Sequence, residues 1–194
     1  MGKYSRANLL ADELSLMNSS DFFGKMIYRM NKSSSVLLQI EIPLTLYLRA
    51  EVFCEDIQEL SEMPFEQNDL INLLYNDFLL FAKKNPDPRA IFRLLTSLDK
   101  TAGKEQQLQQ QGKNVFRMMH REVQQEIKVL QLRMRRKFAL RGEILLADME
   151  EVQPGHGYTL ERVFELLYTD FIEKFRKGDN AAALNQIIAL LDEE

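Results

Sequence analysis

The chain has 194 residues, a formal net charge of −4, one cysteine, two histidines and no tryptophan. One cysteine excludes an intramolecular disulfide and a thiolate zinc site. With apolar residues at 45% and charged residues at 28%, the composition is that of a chain that buries a core rather than a disordered one.

The first twenty residues carry Asp12 and Glu13 where a secretory signal needs an apolar core. No apolar run approaches the ~18 residues that span a bilayer, so no membrane contact and a cytoplasmic address are expected. Residues 36–48, VLLQIEIPLTLYL, can be read two ways. Alternation puts Leu38, Ile40, Ile42, Leu44, Leu46 and Leu48 on one side, a strand pattern. Helical spacing instead gathers Leu38, Ile42, Leu46, Phe53, Ile57 and Leu60 into one stripe, with a break at Pro43. Leu70, Leu74, Phe78 and Phe81 form the next helical face, and Asp87-Pro88 opens another helix as N-cap and first-turn proline. Thr101 to Lys113 is glutamine-rich and predicts an exposed helix from about Lys104, or a solvated linker. Beyond it, Leu130, Met134, Phe138, Leu145, Met149 and Val152 fall in one stripe at helical spacing. Leu160, Phe164, Leu167, Phe171 and Phe175 make a last clear helical face. Thr159 is placed to cap that helix, Gly178 to end it, and Asp179 to open its successor.

Comparison of the chain with itself is the strongest signal. Residues 70–99 align without gaps on residues 163–192, with nine of thirty positions identical and LLYNDF matching LLYTDF. Residues 48–60 (LRAEVFCEDIQEL) align on 140–152 (LRGEILLADMEEV), and GKMIYRM at 24–30 aligns on GKNVFRM at 112–118. The three blocks keep their order, at offsets of 93, 92 and 88. The expectation is an all-α fold of two tandem, internally duplicated helical modules, 1–100 and 101–194. They pack about a pseudo-two-fold as one structural unit, because modules this small bury little core alone. Phe78 and Phe171 become core residues at equivalent sites. The alternative is α+β, with a short hairpin in each module near 36–54 and 128–146.

Arg49, Asp56 and Asp77, with their counterparts Arg141, Asp148 and Asp170, fall within apolar helix faces on the helical reading. Buried charge needs a partner, so a structural ion cluster is expected in each module. A charged pocket that binds an anion or a polar ligand is the functional version. Glu51, Asp56 and Glu59, with Glu143, Asp148 and Glu151, lack the Glu-x-x-His pairs of a bundle metal site, so no metal is expected.

The charge is uneven along the chain. Residues 113–141 hold nine Lys/Arg against two Glu, whereas 142–194 hold four against twelve Asp/Glu. Lys128, Arg133, Arg135, Arg136, Lys137 and Arg141 are candidate partner-binding residues, because the matching stretch of the first module has only Arg49. Cys54 lies in or beside an apolar stripe, and neither His120 nor His156 is locally paired with it. There is no phosphate-cradling glycine loop and no dinucleotide fingerprint. The residues therefore point away from an enzyme and from cofactors. They point first to a cytoplasmic protein-interaction module, adaptor or regulator that meets a protein partner or a second copy. The alternatives are a nucleic-acid-associated regulator using 128–141 and a small-ligand binder at the charged clusters.

Overall fold

Strict alternation and helical spacing compete over residues 35–61, and Pro43 divides the segment between them. The computed structural model describes residues 3–17, 34–99, 126–178 and Ile187. After a first helix α1 (Leu9–Met17), strand β1 (Ser35–Pro43) runs without a loop into helix α2 (Leu44–Ser61). Leu38, Ile40 and Ile42 are buried while Leu37, Gln39 and Glu41 are exposed, the period of two that a half-buried strand requires. Pro43 has φ −54° and ψ 130° and sits at the N-cap of α2. Its missing N–H is not needed there, since the first turn of a helix leaves its N–H groups unpaired within the helix.

The second half repeats the move. Strand β2 (Ile127–Arg135) passes directly into helix α5 (Arg136–Val152), with Arg135 at φ −66° and ψ 130°. The two strands pair antiparallel in a register that sets Ser35 opposite Arg135, Gln39 opposite Gln131 and Pro43 opposite Ile127. The ladder continues at both ends, where Leu44 N–H donates to Glu126 O and Arg136 N–H to Ser34 O, each at 2.8 Å.

The all-helical expectation is therefore corrected over 35–43 and 127–135: the fold is mostly helical with a small two-stranded antiparallel sheet. The alternative also needs correction, because neither half forms a hairpin of its own. The residues after Pro43 and Arg135 are helix formers, so each strand finds its partner in the other half.

Helix α3 (Gln67–Lys84) opens on a capping box, in which Glu66 N–H donates to Asp69 Oδ2 at 2.9 Å. It is followed by α4 over 88–99, whose Asp87 caps it through Arg89 N–H at 3.0 Å. Helix α6 (Leu160–Arg176) is capped by Thr159, which accepts from Arg162 N–H at 3.3 Å. Gly178 follows its end at φ +81°. These boundaries agree with the sequence reading. The segment at Lys104, the GK blocks at 24–30 and 112–118, His120 and the helix opening at Asp179 lie outside the described residues.

The halves interlock. α6 packs on β1 and α2, and α3 packs on β2 and α6. Phe53 of α2 meets Phe171 and Phe175 of α6 edge-on, with ring centroids 5.3 and 4.8 Å away. Tyr75 of α3 stands against α5 and donates to Phe138 O at 2.9 Å. A Cβ on Gly142 would lie 2.2 Å from the Tyr75 hydroxyl, so the glycine is what admits that ring. Tyr168 of α6 is fully buried and donates to Gln67 Oε1 at 2.6 Å. Phe78 is a core residue as expected, whereas Phe171 is half-buried. One continuous apolar cluster joins both halves. Among the described residues no helix is long and apolar enough to cross a membrane.

Candidate nucleic-acid interface

The inward face of the ribbon is closed by the helices, so its chemistry lies on the outward face. Alternation sends the odd-numbered residues outward. They are Ser35, Leu37, Gln39 and Glu41 on β1, and Ile127, Val129, Gln131, Arg133 and Arg135 on β2, all exposed. The register lays them out in rows: Ser35 with Arg135, Leu37 with Arg133, Gln39 with Gln131, Glu41 with Val129. One end is thus basic, the centre carries two amides, and the other end is apolar and acidic. Arg133 Nε donates to Ser35 Oγ at 3.2 Å, and neither Arg133 nor Arg135 has a carboxylate partner among the described residues. The ribbon edges are held from the side: Arg133 N–H donates to Asn68 Oδ1 at 2.9 Å, and Glu41 N–H to Glu165 Oε1 at 3.2 Å.

The other members of the basic stretch separate. Arg136 turns away from the ribbon face, with Nε 3.2 Å from Glu13 Oε1 and Nη2 3.5 Å from Asp12 Oδ2, and so ties α1 to the start of α5. Lys137 and Arg141 flank the Phe138 ring, 5.0 and 5.6 Å from its centroid. Lys128 lies at the acidic end of the ribbon, 5.5 Å from the centre of the Tyr47 ring.

The ion clusters expected inside the core are not there. Arg49, Asp56, Asp77, Arg141 and Asp148 are exposed, and half-buried Asp170 pairs with Lys174 of its own helix at 2.7 Å. The reason is the width of the buried faces: on α2 Leu46, Ala50, Phe53, Cys54 and Ile57 are buried, and Arg49 and Asp56 stand just outside that face. Glu13, Glu143, Glu161 and Glu173 are the buried carboxylates among the described residues, and Glu143 is the most deeply buried. It accepts from Ser5 Oγ, from Leu9 N–H at 3.0 Å and from Leu10 N–H at 2.6 Å, and so caps α1 from another element. Among the described residues no three His, Cys, Asp or Glu side chains gather as metal ligands would.

Cys54 and His156 are both committed to the fold. Burial and the carboxylates of Asp69, Glu51, Glu55 and Glu66 push the Cys54 thiol up to about 12. His156 Nδ1 accepts from Tyr158 N–H at 2.9 Å, and Nε2 faces Leu146 O at 3.1 Å and Glu150 Oε2 at 3.2 Å. A cavity of about 640 Å³ opens beside it, lined in part by Lys3, Arg6, Asp99, Arg162 and Glu165. One of its cations, Arg162, already bridges Asp99 at 2.5 Å and Glu165 at 3.1 Å.

Gln39 and Gln131, the central pair of the outward face, were missed by the sequence reading. The signal for them was the alternation of Leu38, Ile40 and Ile42, which puts every intervening residue on the opposite face. Comparison with protein-family models, with curated proteins and with solved structures finds no match.

Proposed function

We propose that this chain is a non-enzymatic, cytoplasmic DNA-binding regulator that lays its two-stranded ribbon in the major groove of duplex DNA. The observation that carries the reading is the outward row of Gln39, Gln131, Arg133 and Arg135 on an exposed antiparallel pair. Composition alone favours a protein partner. The ribbon reverses that order, because the major groove, about 12 Å wide, admits a two-stranded ribbon. Glutamine and arginine are the side chains that hydrogen-bond adenine and guanine edges there. Lys137 and Arg141, exposed on α5 just past the basic end, supply cations for flanking phosphates. The test is binding of the full chain to mixed-sequence duplex by fluorescence anisotropy across a salt series. Affinity is expected to fall steeply with salt, and R133A with R135A to weaken binding while thermal melts stay unchanged. Binding that ignores both substitutions would overturn the reading.

The modules 1–100 and 101–194 are part of the same proposal, as an internal duplication folded about a rough two-fold. Supporting it, Gln39 and Gln131 are counterparts at the offset of 92 found in the sequence, and they pair with each other. The two bonds that extend the ladder exchange under the same offset, and so do Pro43 and Arg135, each at the start of a helix. A protein partner or a second copy is the second reading. It is favoured by Leu48 and Val52, 50% and 54% exposed one turn apart on α2.

A further inference from the structure

Any antiparallel strand pair has a local two-fold axis through its middle residues. Here the axis passes between Gln39 and Gln131, which are both glutamine. Two identical strands would present the same side chains at equal distances either side of it, and would read a palindrome. This ribbon keeps that symmetry at the centre and loses it outward. Two residues out from the axis, Glu41 on β1 takes the position that Arg133 takes on β2. Four residues out, Pro43 takes the position of Arg135; on the other arms Leu37 answers Val129 two residues out, and Ser35 answers Ile127 four residues out. One end therefore offers two guanidinium groups. The other offers a carboxylate, a proline and two exposed aliphatic side chains, Val129 and Ile127.

We infer, resting on the reading that the ribbon enters the major groove, that the DNA this chain recognises is not palindromic. A guanidinium makes paired hydrogen bonds to guanine O6 and N7, so guanines lie beneath the Arg133 and Arg135 end only. The central amides match adenine N6 and N7, which sets A·T pairs beneath the axis. At the far end Val129 and Ile127 can touch thymine methyl groups, and Glu41 can accept from cytosine N4 but not from guanine O6 or N7. Arg6 lies 3.9 Å from Glu41, but both side chains are largely exposed, so screening leaves the carboxylate's preference in place. A single chain that holds two unlike strands in fixed order reads such a site in one orientation.

The experiment is in vitro selection with the full chain from a randomised duplex pool, followed by affinity measurements on the selected site. A consensus without dyad symmetry is expected, with guanine on one flank of an A·T centre. R133A should lower discrimination at that guanine flank roughly 5- to 150-fold, leaving the other flank unchanged. E41R should add a guanine preference on the opposite flank and move the consensus toward a palindrome. A palindromic consensus for the unaltered chain would overturn the inference while leaving the ribbon reading intact. Enriched sites whose affinities respond to none of Q39A, Q131A and R133A would overturn the ribbon reading itself.

Discussion

Cys54 shows how far one residue's surroundings can be read in advance. Its place in or beside an apolar stripe argued for a small buried side chain, and it is 4% exposed. What the sequence could not supply was the full set of carboxylates near it, since Asp69 and Glu66 come from the start of the next helix, α3. Burial and those carboxylates move the thiol from 9.0 to about 12 in the folded state. Below pH 9 the thiol is neutral whether the chain is folded or not. As pH rises from about 9 to 12 the unfolded chain releases the proton and the folded chain retains it, so this group's contribution to stability is lost across that window. The same shift leaves roughly a five-hundredth as many thiolates as an unperturbed thiol at pH 9. Alkylation of Cys54 at that pH is expected to be slow in buffer and rapid in denaturant, followed by mass spectrometry. Equal rates in both would contradict the burial. Arg49 and Asp56 are the opposite case. The stripe of Leu46, Phe53 and Ile57 beside them is buried as expected, but it is too narrow to include them, and both stand in solvent.

At the scale of an element, the strands carry the main lesson. Leu38, Ile40 and Ile42 recur with a period of two, but residues 128–135 read KVLQLRMR, a composition that suits a helix as well as a strand. A single fold for both aligned segments points to helix. Exposed arginine on one face of a strand and exposed arginine on a helix have the same composition; they differ in what the intervening Leu130, Leu132 and Met134 rest upon, which is tertiary. By contrast, caps are local, and Thr159, Asp87 and Gly178 were all legible where they stand. The strand register makes a sharp expectation about neighbours. Ile40→Ala should cost about 2–5 kcal/mol, since Ile40 is fully buried under the helices. Gln39→Ala, one residue away on the outer face, should stay within about 0.5 kcal/mol. Urea denaturation of both variants checks this, and comparable losses would mean the face assignment is wrong.

For the whole molecule, neither half holds a complete set of surfaces. Among the described residues β1 and β2 pair only with each other, and Phe53 of the first half fills the space beside Phe171 and Phe175 of the second. The aligned blocks were visible in the sequence, yet the packing of one half on the other was not, because similar apolar faces can be satisfied within a half or between halves. Residues 1–100 and 101–194 made as separate chains are therefore expected to show little helix alone and to regain it when mixed in equal amounts. Circular dichroism with sedimentation reads the outcome. A half that is folded as a monomer on its own would contradict the interlocking.

The pairing of Gln39 with Gln131 also sets a clock. Sequence separation of this size makes for slow folding, because a long loop must close before its contacts repay the lost entropy. On a ribosome adding about 5–20 residues per second, β1 waits on the order of 5–20 s for its partner strand to emerge. Through that interval both its hydrogen-bonding edges and the apolar row of Leu38, Ile40 and Ile42 are open. The nascent first half is therefore expected to be prone to aggregation, and placing rare codons between residues 100 and 126 should lower the soluble yield.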